Sequence, residues 1–296
     1  MKKIGIVTDS HSGITQKQAQ ELGIFVLPMP FYFGDACYYE DVSISREEFF
    51  EKLSSGLTVA TSQPSPAAVM ELWDKALKEY EQILYIPISS GLSGSCASAI
   101  TLALEKPYFG RVFVVDNGRV STPQHRSVLD ALELAEEGYP GQRIKDMLEA
   151  YRDKMVIYVS VETLEHLKRG GRISPAAAAL GSVFNIKPVL KFDVGMLEPY
   201  KKCHGAAKAR RAMIEAIQND FATTFREAYE KGEIYLLAAS SSSEEVTEGW
   251  IQEIKEAFPG MDVLCDNLSL GVSCHIGRGG LGIGCSCKIP RKTSKA

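Results

Sequence analysis

Short apolar runs alternate with amphipathic segments along the first half of the chain. The runs at residues 4–7, 83–88 and 112–115 have the length of buried strands. After residue 65, apolar side chains recur at the spacing of one helix face, at Val69, Leu72, Trp73, Ala76, Leu77 and Tyr80. Strands that alternate with helices in this way are typical of an α/β fold with a mainly parallel sheet.

Polar residues mark where several helices begin. Ser45 with Glu48 three positions later has the spacing of a capping box, and Ser65 followed by Pro66 is a typical N-cap and first turn. Further elements of the first half are a helix from Thr15, strands at residues 25–27 and 31–33, and helices at 121–137 and 141–152.

The second half has a similar pattern with shorter and more closely spaced apolar runs. Two helices are expected, one carrying Leu164 and Leu167 and one at residues 206–221. Strands are expected at residues 155–161, 186–192, 234–239, 263–265, 272–276 and 281–285. Because the last strands are short and adjacent, the second sheet is predicted to be mixed. The predicted organisation is an N-terminal α/β lobe at residues 1–153 and a C-terminal α/β lobe at 154–290, packed closely together.

Composition and charge limit the classes of function. The chain has 296 residues, 45% of them apolar and 24% charged, which is ordinary for a soluble globular protein. The net charge of −4 argues against a dedicated nucleic-acid binder. The apolar start of the chain stops at Asp9, too early for a signal core, and no run reaches the ~20 residues of a membrane span. We therefore expect a cytoplasmic protein.

The seven cysteines do not suggest a disulfide framework, because their number is odd and no Cys-x-x-Cys occurs. Cys285 and Cys287 have the spacing that places two thiols on one face of a strand. A metal site would need more ligands, and His275 is the only histidine nearby in sequence. Buried thiols are the favoured interpretation, and no metal is expected.

Four polar loops follow predicted strands. They are Thr8-Asp9-Ser10, Thr61-Ser62-Gln63-Pro64-Ser65, residues 89–95 and Asp116-Asn117. The loop at 89–95 is rich in serine and glycine and precedes a helix, which favours a small carboxylate or phosphate. An ordinary capped helix after a strand would have the same pattern. Asp9 and Asp116 are the only acids in these loops and are interpreted as turn caps.

A serine hydrolase acting on acyl esters is the alternative from a different class. Gly91-Leu92-Ser93-Gly94-Ser95 resembles the nucleophile elbow G-x-S-x-G, although its last position is serine. His275 would then be the base and Asp116 its orienting acid. A sugar- or phosphate-binding module using the same loop is a third possibility, and it would require a polar cavity wall.

Two glycine-rich segments need separate interpretation. Residues 277–282 match G-x-G-x-x-G literally, but a strand is expected after them instead of the helix that a dinucleotide site requires. Arg169 and Arg172 surround a glycine turn, which is typical either of a solvated basic turn or of an anion contact.

Together these segments resemble the DegV family of bacterial fatty-acid-binding proteins. The resemblance covers about residues 3–287. It rests on six segments that occur in the family's order: residues 8–10, 61–65, 88–94, 162–174, 185–188 and 275–277. It implies two α/β lobes with a long-chain fatty acid (C14–C18, such as palmitate) buried between them and no other cofactor. It also implies a non-catalytic carrier that presents the carboxylate to a partner fatty acid kinase for acyl-phosphate formation.

The resemblance assigns roles to individual residues. Thr61 and Ser93 would hold the carboxylate, and Ser62, Gly94 and His275 would support them. Arg172 would contact the kinase or the phosphoryl group, and transient contact with a membrane surface is expected. The chain departs from the family pattern at residues 201–208, where an Arg-rich segment is usual, and at Arg278, where a proline is usual. Both departures lie where a kinase would dock, so lipid binding is expected to be intact and the partner's identity is left open.

Overall fold

The structure is a computed structural model that describes residues 2–179 and 186–291. The first half contains, in chain order, β1 (Lys2–Asp9), α1 (Gln16–Leu22), β2 (Phe25–Leu27), β3 (Pro30–Phe33), β4 (Ala36–Tyr39), α2 (Arg46–Ser54), β5 (Val59–Thr61), α3 (Pro66–Ala76), β6 (Tyr80–Ile86), α4 (Ser95–Ala103), β7 (Val112–Val114), α5 (Thr122–Glu136) and α6 (Gly141–Ala150). The second half contains β8 (Met155–Ser160), α7 (Glu165–Gly170), α8 (Pro175–Ala178), β9 (Ile186–Phe192), β10 (Glu198–His204), α9 (Ala206–Ala222), α10 (Arg226–Glu230), β11 (Ile234–Ser240), α11 (Glu244–Ala257), β12 (Val263–Asn267), α12 (Leu270–Ile276) and β13 (Leu281–Cys287).

The sheet of the first half is parallel, with the strand order β2-β1-β6-β7. Apolar residues of α3 and α4, including Trp73 and Cys96, pack on one face of this sheet. Residues of α5 and α6, including Val128 and Ile144, pack on the other face. Helices cover both faces because the strands are apolar on both sides, which is the usual arrangement of a parallel sheet.

The sheet of the second half is mixed, with the order β10-β9-β8-β13-β11-β12. Only β11 and β12 pair in parallel among its described neighbours. One face packs against α9 and α11, whose Met213 and Trp250 are buried there. The other face, with Val159 and Leu190, is turned toward the first half of the chain. The predicted fold class, a parallel N-terminal sheet and a mixed C-terminal sheet, is confirmed.

A third, antiparallel sheet was not expected from the sequence. It has the order β4-β3-β5, and Phe31 and Phe49 pack with Leu270 and Cys274 of α12. A segment of the first half therefore covers a helix of the second half. The proposed junction between lobes near residue 154 stays a prediction.

Two sequence predictions are wrong in detail. Residues 272–276 belong to helix α12 and not to a strand; Ser269 accepts a hydrogen bond from Val272 N and caps this helix. The helix has only seven residues, so its apolar residues show too few turns to reveal a helical period. Helix α3 ends at Ala76, and Tyr80 begins β6 instead of extending the helix face.

Side-chain hydrogen bonds connect α5 of the first half to the second sheet. Thr122 Oγ1 donates to Ala238 O at 2.7 Å, and His125 Nδ1 lies 3.0 Å from Asp266 Oδ2. These contacts hold the start of α5 against the sheet face that is turned toward it. In the described ranges, 2–179 and 186–291, no helix is long and apolar enough to cross a membrane.

Candidate functional site

An apolar cavity of about 130 Å³ lies between the first half of the chain and the inner face of the second sheet. A single bound water needs roughly 10–15 Å³ of such space, so the cavity can hold a much larger guest. Most of its wall is apolar, contributed by residues such as Ile88, Val120, Val159, Phe192, Leu237 and Ile276. An apolar wall is what a lipid-binding tunnel requires, and a sugar site would need a polar one.

Polar residues are concentrated in one region of this wall. They come from the end of β5, from the loop between β6 and α4, from α12 and from the turn after α7. The residues are Thr61, Ser62, Gln63, Ser93, His275 and Arg172. Ser62 and Gln63 are exposed to solvent, whereas the apolar residues named above are buried or nearly so. The polar group therefore lies at a solvent-accessible mouth of the cavity.

Thr61 and His275 form a hydrogen-bonded pair across the two halves of the chain. Thr61 Oγ1 lies 2.9 Å from His275 Nε2. Burial, together with the positive charge of Arg172, lowers the pKa of His275 to about 4. The imidazole is therefore neutral at pH 7. In the tautomer that carries the proton on Nε2, the ring donates to Thr61, and the threonine hydroxyl is free to donate to an anion.

Gly170 makes room for the imidazole of His275. A Cβ atom at this position would lie 2.0 Å from His275 Nδ1. No real side-chain carbon can approach that closely, so the ring packs directly against the backbone at the end of α7. The position of His275 therefore depends on a residue with no side chain.

Ser93 is oriented by its own loop. Ser93 N donates to Ser89 O at 3.1 Å, and Ser93 Oγ accepts a hydrogen bond from Ser95 N at 3.2 Å. Because its oxygen already accepts from the backbone, the hydroxyl proton is available to a ligand in the cavity. Thr61 and Ser93 thus offer two hydroxyl donors at one mouth.

Arg172 supplies the positive charge of the mouth. Its Nε donates to Leu92 O at 3.1 Å, and its Nη1 donates to Gly170 O. No ion pair between Arg172 and a carboxylate occurs among the described residues. A half-buried guanidinium bound only to carbonyl oxygens retains the capacity to pair with an anion.

Ser62 and Gly94, the other two residues predicted for the carboxylate site, do not offer a free donor to the cavity in the way that Thr61 and Ser93 do. Ser62 lines the cavity, but its Oγ donates to Gln63 O at 3.1 Å. Gly94 does not line the described part of the cavity. A Cβ at Gly94 would lie 2.8 Å from Gln63 Oε1, so Gly94 lets the Gln63 side chain reach the mouth.

Sequence reasoning assigned no role to four polar residues of the wall: His11, Gln63, Ser121 and Thr122. Gln63 lay inside a recognised motif, so its position could have been inferred. His11 follows the carboxyl end of β1, where ligands bind in parallel sheets. Asp9 is a turn cap as predicted, since its carboxylate accepts from His11 N at 3.0 Å and from Ile88 N at 2.8 Å.

The groups considered for a serine hydrolase are not arranged as a triad. Asp116 Oδ2 pairs with Arg152 NH1 at 2.6 Å, and the hydrogen bond of His275 Nε2 is with Thr61 instead of Ser93. The relay of Ser93, His275 and Asp116 is therefore not formed by these hydrogen bonds. The segment 277–282 leads into β13, so the strand expected after this G-x-G-x-x-G match is confirmed.

Cys285 and Cys287 lie in the interior of the second sheet. Both are on β13, on the face that packs against α9 and α11, and both are buried. The predicted buried thiols on one strand face are confirmed. Within residues 2–179 and 186–291 no group of three or more His, Cys, Asp or Glu side chains is placed to hold a metal ion.

The whole described fold matches one protein family. A family model described as "Uncharacterised protein, DegV family" matches residues 3–288. The chain belongs to the DegV family. A DegV domain-containing protein from Halalkalibacterium halodurans is 31% identical to this DegV protein over 285 residues, which are 96% of this chain and 98% of the relative.

Solved DegV structures share the fold. A DegV family protein from Thermus thermophilus, described as binding fatty acid, is 34% identical with a TM-score of 0.84, covering 96% of this chain and 99% of that one. DegV from Bacillus subtilis, described as a fatty acid binding protein, is 26% identical with a TM-score of 0.80, covering 97% and 100%. The family resemblance seen in the motifs is confirmed.

The two departures from the family pattern, residues 201–208 and Arg278, are not among the described residues that line the cavity. Lys201 and Lys202 are on the exposed strand β10, and Ala206 begins α9. The guanidinium of Arg278 lies 5.6 Å from the ring centre of Phe50. Neither departure changes the residues of the mouth.

Proposed function

We propose that this DegV protein binds one long-chain fatty acid, with the acyl chain in the apolar cavity and the carboxylate at the mouth. The observation that carries the proposal is the distribution of polarity in the cavity. Hydroxyl donors are concentrated at the mouth together with Arg172, which has no carboxylate partner among the described residues, and most of the remaining wall is apolar. Fatty acid binding by the similar Thermus thermophilus protein supports the same conclusion.

The acyl chain and the carboxylate contribute differently to binding. A 16-carbon acid buries about 14 methylenes at about 0.8 kcal/mol each, a gross driving force on the order of 11 kcal/mol before ordering costs. The acyl chain therefore supplies the affinity. The carboxylate needs donors because an unpaired charge at an apolar wall is costly, and Thr61 and Ser93 provide neutral donors.

The accessible mouth is suited to the presentation of the carboxylate to a partner kinase. Ser62 and Gln63 are exposed beside Thr61, and Arg172 is half-buried between the mouth and the surface. In this proposal Thr61 and Ser93 hold the carboxylate, with Ser62, Gly94 and His275 in support. Arg172 contacts the kinase or the phosphoryl group formed on the carboxylate. The protein is itself a cytoplasmic, non-catalytic carrier.

The test compares palmitate with its methyl ester on delipidated protein. Wild type should bind palmitate about 10- to 100-fold more tightly, because the ester lacks the charge that Thr61, Ser93 and Arg172 recognise. In the double variant T61V/S93A the two affinities should become similar. The control S242A removes a hydroxyl outside the cavity and should keep the wild-type difference. Equal affinities in wild type would refute the carboxylate site, and ester cleavage that S93A abolishes would indicate the hydrolase.

A further inference from the structure

A second polar position interrupts the cavity wall away from the exposed mouth. Ser121 and His11 both line the cavity, and their exposed fractions are 6% and 7%. They are directly connected, since Ser121 N donates to His11 O at 2.9 Å. We call these two residues the inner polar pair. Neither is part of the carboxylate site described above.

Ser121 occupies a capping position without capping. It immediately precedes α5, a helix of 15 residues, but its hydroxyl makes no hydrogen bond to the helix start. Serine at this position usually accepts a bond from the first turn. Here Oγ is fully buried and has no hydrogen-bond partner among the described residues. A buried hydroxyl without a partner loses its interactions with water and regains none, so a ligand atom that bonds it would be favoured.

The backbone at Ser121 is also held in an unusual conformation. Its φ of 58° and ψ of −142° lie in a region that residues with a side chain rarely adopt. The flanking contacts maintain it, because Ser121 N is bound to His11 and Thr122 Oγ1 is bound to Ala238 O at 2.7 Å. The serine side chain is therefore fixed in the wall by neighbours on both sides.

His11 adds a second polar group without a hydrogen bond. Within the part of the chain that the structure describes, its buried Nδ1 has no hydrogen-bond partner, although Asp9 Oδ1 lies 3.5 Å away. The ring packs against α12, where a Cβ at Gly271 would lie 2.7 Å from His11 Nε2. Gly271 is four residues before His275 on α12, so the ring of His11 lies about 6 Å along the helix from the level of His275.

We propose that the inner polar pair is a second subsite, which accepts a hydroxyl or keto oxygen on the first few carbons of the fatty acid. The inference rests on the proposed function, since it presumes that the carboxylate lies at Thr61 and Ser93. Ser121 can both donate to and accept from such an oxygen. An unsubstituted chain would leave the Ser121 hydroxyl unbonded, and an oxygen near the far end of the chain would face the apolar part of the wall.

The experiment measures dissociation constants of delipidated protein for palmitate, 3-hydroxypalmitate and 16-hydroxypalmitate by competition with one fluorescent fatty acid. Wild type should bind the 3-hydroxy acid at least as tightly as palmitate and about 10-fold more tightly than the 16-hydroxy acid. S121A should remove most of this preference and leave palmitate affinity within about twofold. H11F should reduce the preference in the same direction. S121G, which suits a positive φ, serves as a second variant should S121A fail to fold.

The control S93A should weaken all three acids by a similar factor and keep their ratio. The proposal is overturned when palmitate binds but both hydroxy acids bind equally poorly to wild type. It is also overturned when S121A weakens palmitate and 3-hydroxypalmitate by the same factor, since Ser121 would then belong to the carboxylate site. Failure of palmitate itself to bind would instead refute the proposed function.

Discussion

The absence of a side chain at Gly282 should determine how long an acyl chain the cavity accepts. Gly282 and Gly284 lie on the cavity side of β13, in the centre of the second sheet. At Gly284 a Cβ would lie 2.6 Å from Val156 O, so backbone packing explains that glycine. At Gly282 a Cβ would meet nothing closer than Tyr158 O at 3.6 Å. Packing within the protein does not require a glycine there, and the space it leaves opens into the cavity.

The variant G282V places three carbon atoms in that space. They should displace about three methylenes of the longest acid that fits, at about 0.8 kcal/mol each, or roughly 2.4 kcal/mol in total. This corresponds to an affinity about 50-fold lower for that acid. Acids shorter by three or more carbons should keep their affinity. The empty protein should be no less stable, because valine is favoured over glycine in strands.

The assay is a series of dissociation constants for saturated acids from C10 to C18 with wild type, G282V and the control G284A. G284A should lower the thermal stability without changing the order of preference among chain lengths. A uniform loss of affinity across all lengths in G282V, with an unchanged optimum, would refute the conclusion that Gly282 faces the acyl chain.

Three further predictions concern the mouth. G170A should displace His275, because the new Cβ would lie 2.0 Å from His275 Nδ1. Palmitate affinity, measured by competition, should then fall about 10-fold. The control G249A adds a Cβ in open space on α11 and should leave palmitate affinity unchanged. Because the pKa of His275 is about 4 in the folded protein against 6.5 ordinarily, the unfolded chain takes up the proton first as the pH falls. The free energy of unfolding should therefore decrease between pH 6.5 and 4 by up to roughly 3 kcal/mol. Measured by urea unfolding, H275Q should show a shallower decrease. The same pH dependence in wild type and H275Q would contradict a lowered pKa of His275. R172Q should reduce palmitate affinity and the dependence of that affinity on salt, while hexadecanol, which carries no charge, should bind both proteins equally.

Much of the fold was predictable because its signals are local. The capping box at Ser45 and the N-cap at Ser65 are present as expected, since a cap depends only on residues within one turn. The buried strands β1, β6 and β8 are apolar runs whose identity does not depend on distant partners. The motifs around Thr61, Ser93, Arg172 and His275 were also recognisable, and the structure brings these four residues to one cavity mouth.

What could not be predicted depends on contacts distant in sequence. The strand β10 is largely exposed and lies at the edge of the described sheet, next to β9, so its pattern lacks the alternation of a half-buried strand. The helix α12 is stabilised by Phe31 of the third sheet and Phe49 of α2, which pack with Leu270, so seven residues can form a helix there. The inner polar pair is joined by a bond between residues 110 positions apart in the chain, His11 and Ser121.

The most direct test of fatty acid binding is the lipid content of the protein as purified under native conditions. Organic extraction and mass spectrometry, calibrated against protein concentration, should recover close to one C14–C18 fatty acid per chain. The double variant T61V/S93A, purified in parallel, should carry less. Recovery of no lipid, or of a phosphorylated sugar in its place, would contradict fatty acid binding. The Ser93 loop would then be interpreted as an ordinary anion site.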